Sequence, residues 1–213
     1  MEWRKQSGFT LVELLVCVAV IGILASILIA VLGAVREKSL LTNSISNVRN
    51  IGGGTQMYAQ EHDNNIPVWH NYNTGQYWWQ LLLPYLGDDT EIFHSPAHEE
   101  FNDTDYNTLA QTISYGWNYV VMGRHLGDTS REGDHVLSQF IFADPSKTLV
   151  LADGPKTDCW GYIAPDHPAD PDRYGNNLVV ALFLDGHVDT LDYTEVTTEE
   201  PYFVPIRNMP DFK

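Results

Sequence analysis

The 213-residue sequence predicts an α+β fold in which one long N-terminal helix packs on a small antiparallel β-sheet domain. Residues 14–35 form a 22-residue run without a charged side chain, and an apolar helix of about 20 residues is long enough to cross a bilayer. Apolar residues then recur at spacings of three and four over residues 39–58, which indicates that the helix continues with one face against a sheet.

Composition and spacing divide the chain into four predicted segments. They are a leader peptide (1–8), a transmembrane helix (9–35), an amphipathic continuation of that helix (36–62) and a globular β-rich domain (63–213). Candidate strands of the last segment are separated by turn signals such as Ala-Asp-Pro and Asp-Gly-Pro. They cover residues 115–122, 138–143, 148–152, 178–184 and 187–191.

The N-terminus does not follow the pattern of an ordinary secretory signal. Such a signal has its small-residue cleavage site after an apolar core of 7 to 15 residues. Here the only small-residue junction, Ser7-Gly8, lies before the apolar run, and the run is longer. Arg4 and Lys5 should hold the leader in the cytoplasm, so the rest of the chain is expected to face outward.

Glu13 is the one acid at the start of the apolar run. A carboxylate at the mouth of a membrane helix is costly to desolvate, so we expect it to have a partner and a function. The alternative is a plain membrane anchor whose Glu13 lies among lipid headgroups.

The segment GFTLVELLVCVAVIGILASILIAVL resembles the class III signal of type IV prepilins and type II secretion pseudopilins. The resemblance implies a pilin-like fold and cleavage by prepilin peptidase between Gly8 and Phe9, followed by N-methylation of Phe9. It also implies that Glu13 pairs with the α-amino group of a neighbouring subunit's Phe9 during assembly. Two opposite charges that meet in an apolar environment recover part of their desolvation cost.

This resemblance implies a structural subunit in the inner membrane, single-pass with its C-terminal domain outside, that polymerises into a type II secretion pseudopilus or a type IV-like pilus. The implied partners are further copies in a helical filament, prepilin peptidase, membrane lipid and an inner-membrane assembly platform. We predict no enzymatic activity, because the sequence has no Gly-x-Ser-x-Gly, His-Glu-x-x-His or glycine-rich phosphate motif.

Charge and cysteine content restrict the outer domain further. Residues 52–213 contain 7 Lys and Arg against 25 Asp and Glu, a formal charge of −18 that repels nucleic acid. Cys17 falls in the membrane helix and Cys159 in the outer domain, so no disulfide within the chain is expected. Three consecutive glycines, residues 52–54, predict a kink or loosened turn, or alternatively a close helix-to-sheet contact.

Aromatic residues are dense between positions 69 and 85, and Trp78 and Trp79 are adjacent there. Rings of this size usually belong to a core. They could instead form a glycan-binding face, which gives the alternative function of a minor tip pilin or membrane-anchored module that binds a glycan through surface aromatics.

The outer domain also resembles a pseudopilin-like family of planctomycetes and verrucomicrobia, in the pieces QMYAQEHDNNIPVW, YWWQLLLPYL, SYGWNY and LFLDGHVDTL. In that family a His stands ten positions before an Asp-Gly pair. Here the Asp-Gly pair is Asp185-Gly186, and the position of the His is occupied by Gly175. Tyr174 and His167 are the nearest residues that could replace it.

Two polar groups remain as candidate sites. Asp185, His187 and Asp189 alternate on one face of a strand, which suits a cation or an acid-base pair, although Asp185-Gly186 is also typical of a type I′ hairpin turn. The secretion pseudopilins that this sequence resembles bind calcium through loop oxygens, and Asp166, Asp170 and Asp172 could supply such ligands here. No other cofactor is predicted.

Overall fold

The computed structural model describes residues 11–123, 125–127, 136–175 and 177–197. The chain separates into two compact units, Met1–Ser39 and Leu40–Lys213. One helix, α1 (Leu11–Glu61), contributes to both units. In the first unit, the described side chains of α1 are exposed. The segment Leu11–Ile29 has a mean hydropathy of 2.9 and is long and apolar enough to cross a membrane.

In the second unit, α1 buries one face in the core of the domain. Val48 and Ile51 are fully buried, and both belong to the main hydrophobic cluster. The helix ends at Glu61, and the chain turns because Asp63 and Asn64 adopt left-handed backbone conformations. The amide of Asn64 then donates to the carbonyl of Ala59 at 2.8 Å, which satisfies one of the last carbonyls of the helix.

Two sheets follow α1 in the described residues. The larger sheet has the order β6-β3-β5-β7-β8, and the smaller one has the order β2-β1-β4. The pairs are antiparallel except for β3 with β6 and β1 with β4. The strands are β1 (His70–Asn71), β2 (Gln76–Tyr77), β3 (Tyr115–Asn118), β4 (His125–Leu126), β5 (Leu149–Asp153), β6 (Tyr162–Ile163), β7 (Leu178–Phe183) and β8 (Val188–Asp192). The α+β class is confirmed, with a sheet that is mixed at one edge.

Among the short helices, α4 (Tyr193–Thr197) contributes Val196 to a second hydrophobic cluster, whereas α2 (Trp78–Leu82) and α3 (Tyr106–Thr112) join α1 in the main cluster. The core between them is rich in aromatic rings. Trp78 stacks on Trp117 with ring centres 5.3 Å apart and meets Phe93 edge-on at 5.5 Å. Offset and edge-on pairs of this kind favour a well-ordered core.

The glycines at 52–54 do not interrupt the helix, so the expected loosened turn is wrong. Two of them instead lie against the domain. A methyl group on Gly52 would come within 2.7 Å of Leu182 Cδ1, and one on Gly54 within 2.8 Å of Leu86 Cδ2. The close-contact interpretation is therefore the correct one, because packing replaces the helix propensity that glycine lacks.

The predicted strand at residues 138–143 is also wrong. This segment forms a 3-10 helix, Gln139–Ile141, in which the Ser138 hydroxyl accepts a hydrogen bond from the amide of Phe140. A serine side chain that bonds its own backbone in this way competes with strand pairing. Phe140 consequently points outward and is 75% exposed.

The Asp185-Gly186 turn joins β7 to β8, but it is not of type I′. The amide of Gly186 donates to the carbonyl of Phe183 at 2.9 Å, and the amide of Phe183 donates to the carbonyl of His187 at 3.0 Å. Of the loop residues, Gly186 alone has a positive φ, at 90°. This is a three-residue hairpin loop with glycine in the left-handed position.

Candidate functional site

The exposed apolar part of α1 is the first candidate site, since its side chains need lipid or protein around them. Glu13 lies in the first described turn of this helix. Gly8 and Phe9 lie outside the described residues. A methyl group built on Gly22 or Gly33 would meet nothing within 4 Å, so another helix has room to approach both positions closely.

A chain of buried hydrogen bonds connects α1 to the large sheet within the second unit. The hydroxyls of Ser44 and Ser95 are 2.8 Å apart, and Ser95 Oγ lies 3.1 Å from the hydroxyl of Tyr174. Tyr174 donates to Asp153 Oδ1 at 2.8 Å. All four residues are at least 95% buried, so each bond replaces a lost contact with water.

Asp153 and Arg173 form the charged end of this chain. Arg173 Nη1 lies 3.3 Å from Asp153 Oδ1, and Oδ2 accepts a bond from the amide of Val180 at 2.7 Å. Arg173 also donates to the carbonyls of Ser114 and Gly154. Complete removal of the carboxyl from solvent raises the pKa of Asp153, while Arg173 opposes that shift. Both carboxylate oxygens of Asp153 and both terminal nitrogens of Arg173 are bonded, so the pair serves as an internal structural anchor, although Arg173 Nε has no hydrogen-bond partner among the described residues.

His98 lies next to this anchor, is 4% exposed and is held in one orientation. Its Nε2 is 3.0 Å from the carbonyl of Lys156, which can only accept, so Nε2 carries the proton. Its Nδ1 is 2.9 Å from the hydroxyl of Ser114. Burial, with the positive charge of Arg173 as a second cause, lowers the pKa of His98 to about 4.

Trp78 and Trp79 are not on the surface. Both side chains are fully buried in the main hydrophobic cluster. Trp78 Nε1 donates to the carbonyl of Gly161 at 2.6 Å, so its polar edge is also satisfied inside the protein. Neither ring offers a face to a glycan, and the structure supports the core interpretation of this pair.

Asp166, Asp170 and Asp172 do not form a cluster in the structure. Asp170 accepts a hydrogen bond from the amide of Asp172 at 3.0 Å and lies 4.0 Å from Nε of Arg173. Asp170 and Asp172 border a polar cavity of about 200 Å³ that Lys156 and Arg173 also line. Across the residues that the structure describes, no three His, Cys, Asp or Glu side chains could hold a metal ion together. Calcium binding stays a prediction.

Asp185 and His187 do come together. His187 Nδ1 is 2.5 Å from Asp185 Oδ1, and the imidazole stacks on Phe183 with ring centres 4.3 Å apart. Asp189 instead accepts a hydrogen bond from the amide of Thr190, its neighbour in β8. The Asp185–His187 pair stabilises the hairpin, and Asp189 does not join it as a third ligand for a cation.

Comparison with known proteins identifies the first segment. Residues 3–29 match the family described as the prokaryotic N-terminal methylation motif. Over 65 residues the chain is 37% identical to the type II secretion system core protein G of Aeromonas hydrophila. The chain has a pseudopilin-type N-terminus. The second match covers 30% of this chain and 44% of that protein, so the chain spans less than half of the relative's length.

No solved structure matches the chain. The two sequence matches confirm the likeness to prepilins and pseudopilins for the N-terminal segment. The resemblance of the outer domain to a family with a C-terminal Asp-Gly-His stays a prediction. Tyr174, one of the two substitutes for the missing His, donates a hydrogen bond to Asp153.

Sequence reasoning missed the anchor made by Asp153 and Arg173 and the hydrogen-bond chain that links it to Ser44. Asp153 precedes Gly-Pro and was interpreted as part of a turn, although it is the last residue of β5. The one usable signal was Arg173, because a lone basic residue inside the acidic segment PDHPADPDRYGNN is unusual. A buried arginine needs a carboxylate, but the sequence does not indicate which one.

Proposed function

We propose that the chain is a structural subunit of a type II secretion pseudopilus or a related pilus. Prepilin peptidase cleaves between Gly8 and Phe9 and methylates Phe9, and the mature subunit then joins a helical filament through α1. Before assembly the subunit lies in the inner membrane with its C-terminal domain outside. It acts mechanically and catalyses no reaction.

One observation carries this proposal: an exposed apolar helix with a single acid, Glu13, in its first described turn. A plain anchor requires only the apolar residues. A filament subunit also requires a negative charge that is costly in lipid and is neutralised by the next copy. The α-amino group at Phe9 of that copy would supply the neutralising positive charge. The match to the methylation motif, residues 3–29, covers this same segment.

The experiment compares variants of two acids on α1. Glu13→Ala leaves the amino group of the neighbouring subunit without a partner inside an apolar interface. Removing one partner of a buried ion pair destabilises it by about 3–5 kcal/mol, so we expect no detectable filament in sheared-fibre fractions. Glu37→Ala is the matched control, because Glu37 is also exposed on α1 but lies beyond the apolar run.

Both variants should reach the membrane at wild-type levels, as judged by immunoblotting. Filaments that form normally from Glu13→Ala would contradict the proposal. Equal loss of assembly in the two variants would indicate a general effect of charge on α1 and would contradict the specific role of Glu13.

A further inference from the structure

Trp160 has an unusual backbone conformation on the surface of the domain. Its φ is 48°, in the left-handed region that bulky residues rarely adopt, and its side chain is 40% exposed. Asp158 and Gly161 also have positive φ values, of 52° and 64°. A glycine at 160 would fit this backbone without strain, so the tryptophan is held there at an energetic cost.

Three hydrogen bonds, of which the one from Trp78 is buried, hold this loop, residues 158–161, in place. Cys159 is fully buried, and its amide donates to the carbonyl of Gln111 at 3.0 Å. The carbonyl of Trp160 accepts a bond from Trp69 Nε1 at 2.9 Å, and the carbonyl of Gly161 accepts one from Trp78 Nε1 at 2.6 Å. A strained conformation persists only where the surroundings determine it in this way, and such positions concentrate at ligand-binding sites.

The loop adjoins a group of partly exposed rings, Trp69, Tyr72, Tyr77, Tyr119 and Tyr162, which together with Trp160 we call the aromatic patch. Trp160 joins it through its carbonyl, which is bonded to Trp69 Nε1, and its own side chain is exposed beside these rings. Trp69 lies at its centre, with ring centres 5.2 Å from Tyr119 and 5.5 Å from both Tyr77 and Tyr162. Tyr72 is 46% exposed and joins the patch through the ring of His70, 4.3 Å away, which in turn lies 4.5 Å from Tyr77. The patch therefore combines fixed ring faces with phenol hydroxyls.

The chemistry of the patch favours an uncharged ligand that has both apolar faces and hydroxyl groups. Burial raises the pKa of Tyr77 and of Tyr162, so these phenols remain neutral hydrogen-bond donors. The formal charge of −18 over residues 52–213 repels anionic polymers. Sugar rings present C–H faces that stack on aromatic rings, with hydroxyls around the edge that suit phenol partners.

We propose that the aromatic patch is a binding site for neutral polysaccharide, with Trp160 as its principal stacking residue. The site is distinct from Trp78 and Trp79, which lie beneath it and in the core. Trp78 contributes as a positioning residue, because its indole N–H holds the carbonyl of Gly161. The proposal goes beyond a role in filament assembly and does not depend on it.

The test uses the full-length protein in detergent micelles and four defined hexasaccharides. Three are neutral: cellohexaose, xylohexaose and the N-acetylglucosamine hexamer. The fourth is the deacetylated glucosamine hexamer, which has the same backbone as the third and is cationic. Binding is measured by isothermal titration calorimetry for the wild type and for Trp160→Gly, Tyr72→Ala and Phe140→Ala.

Trp160→Gly removes the ring and keeps a residue that adopts the same φ, and circular dichroism checks that the fold is retained. Phe140→Ala is the matched control, because Phe140 is 75% exposed and has no ring contact with the patch among the described residues. We expect at least one neutral hexamer to bind. Its Kd should rise about tenfold or more in Trp160→Gly, rise in Tyr72→Ala, and stay within about twofold in Phe140→Ala.

Three results would overturn the proposal. The first is that none of the neutral hexamers binds to the wild type. The second is that Trp160→Gly binds as tightly as the wild type while its fold is retained. The third is that only the cationic hexamer binds and that about 0.5 M salt abolishes the interaction, which would show attraction to the acidic surface rather than stacking.

Discussion

The three consecutive glycines of α1, residues 52–54, have different surroundings, and this gives a quantitative test of the helix packing. Gly53 is exposed, and a methyl group built on it meets no atom within 4 Å. Gly53→Ala should therefore stabilise the domain by close to the full difference in helix propensity, about 0.8–1 kcal/mol. For a domain of this size that corresponds to a rise in Tm of about 2–4 °C.

The two flanking glycines have the same propensity difference but a steric cost. Leu182, which a methyl group on Gly52 would approach to 2.7 Å, is 1% exposed and packed in the core. Overpacking such a site costs about 1–3 kcal/mol, so Gly52→Ala should be neutral or destabilising by up to about 2 kcal/mol. Leu86, which faces Gly54, is only partly buried and can move, so Gly54→Ala should fall between the other two.

Thermal unfolding of the full-length protein in detergent, followed by far-UV circular dichroism, measures all three variants. The expected order of Tm is Gly53→Ala above the wild type, and then Gly54→Ala above Gly52→Ala. A Gly52→Ala variant as stable as Gly53→Ala would refute the close contact between α1 and Leu182. Three variants of equal, lowered stability would instead show that the glycines are needed for a distorted helix.

Two further predictions concern the buried polar groups. The pKa of His98 is about 4 in the folded protein and about 6.5 in the unfolded chain. Between these two pH values the unfolded chain binds more protons, so the stability of the domain falls as the pH is lowered from 6.5 to 4. Allowing for partial screening by solvent, the loss in the free energy of unfolding, measured with urea, should reach about 2 kcal/mol. His98→Gln should flatten this part of the plot of stability against pH. An unchanged plot in that variant would contradict the burial of a neutral imidazole. Tyr174→Phe removes the hydroxyl that lies between Ser95 and Asp153. It should destabilise the domain by about 1–3 kcal/mol in the same assay. A change under about 0.5 kcal/mol would show that the chain of hydrogen bonds contributes little to stability.

The sequence predicted those parts of the fold that depend on local pattern. The charge-free run and the stripe at spacings of three and four indicated α1, and the β-branched and leucine-rich runs indicated β5 and β7. The failures involve residues with two competing local options. Ser138 makes only an isolated bridge to Asn65, and its hydroxyl accepts a bond from the amide of Phe140 at the start of a 3-10 helix. Asp185-Gly186 uses one left-handed residue where a type I′ turn needs two.

The candidate sites were harder to predict because they depend on long-range placement. Trp78 and Trp160 are the same residue type, 82 positions apart, yet one is fully buried and the other is 40% exposed. Composition does not distinguish them, whereas the left-handed backbone at Trp160 does. Likewise Asp153 is one of 28 acidic residues, and only the fold brings it to Arg173 and Tyr174.

The most direct test of the central claim is the N-terminus of the protein isolated from membranes of its own cells. Intact-mass and peptide mass spectrometry should find a chain that begins at Phe9 with one added methyl group, and the leader should be retained when prepilin peptidase is absent. A chain that begins at Met1 in cells with an active peptidase would contradict the account, because a retained leader leaves no charged amino group at Phe9 for Glu13.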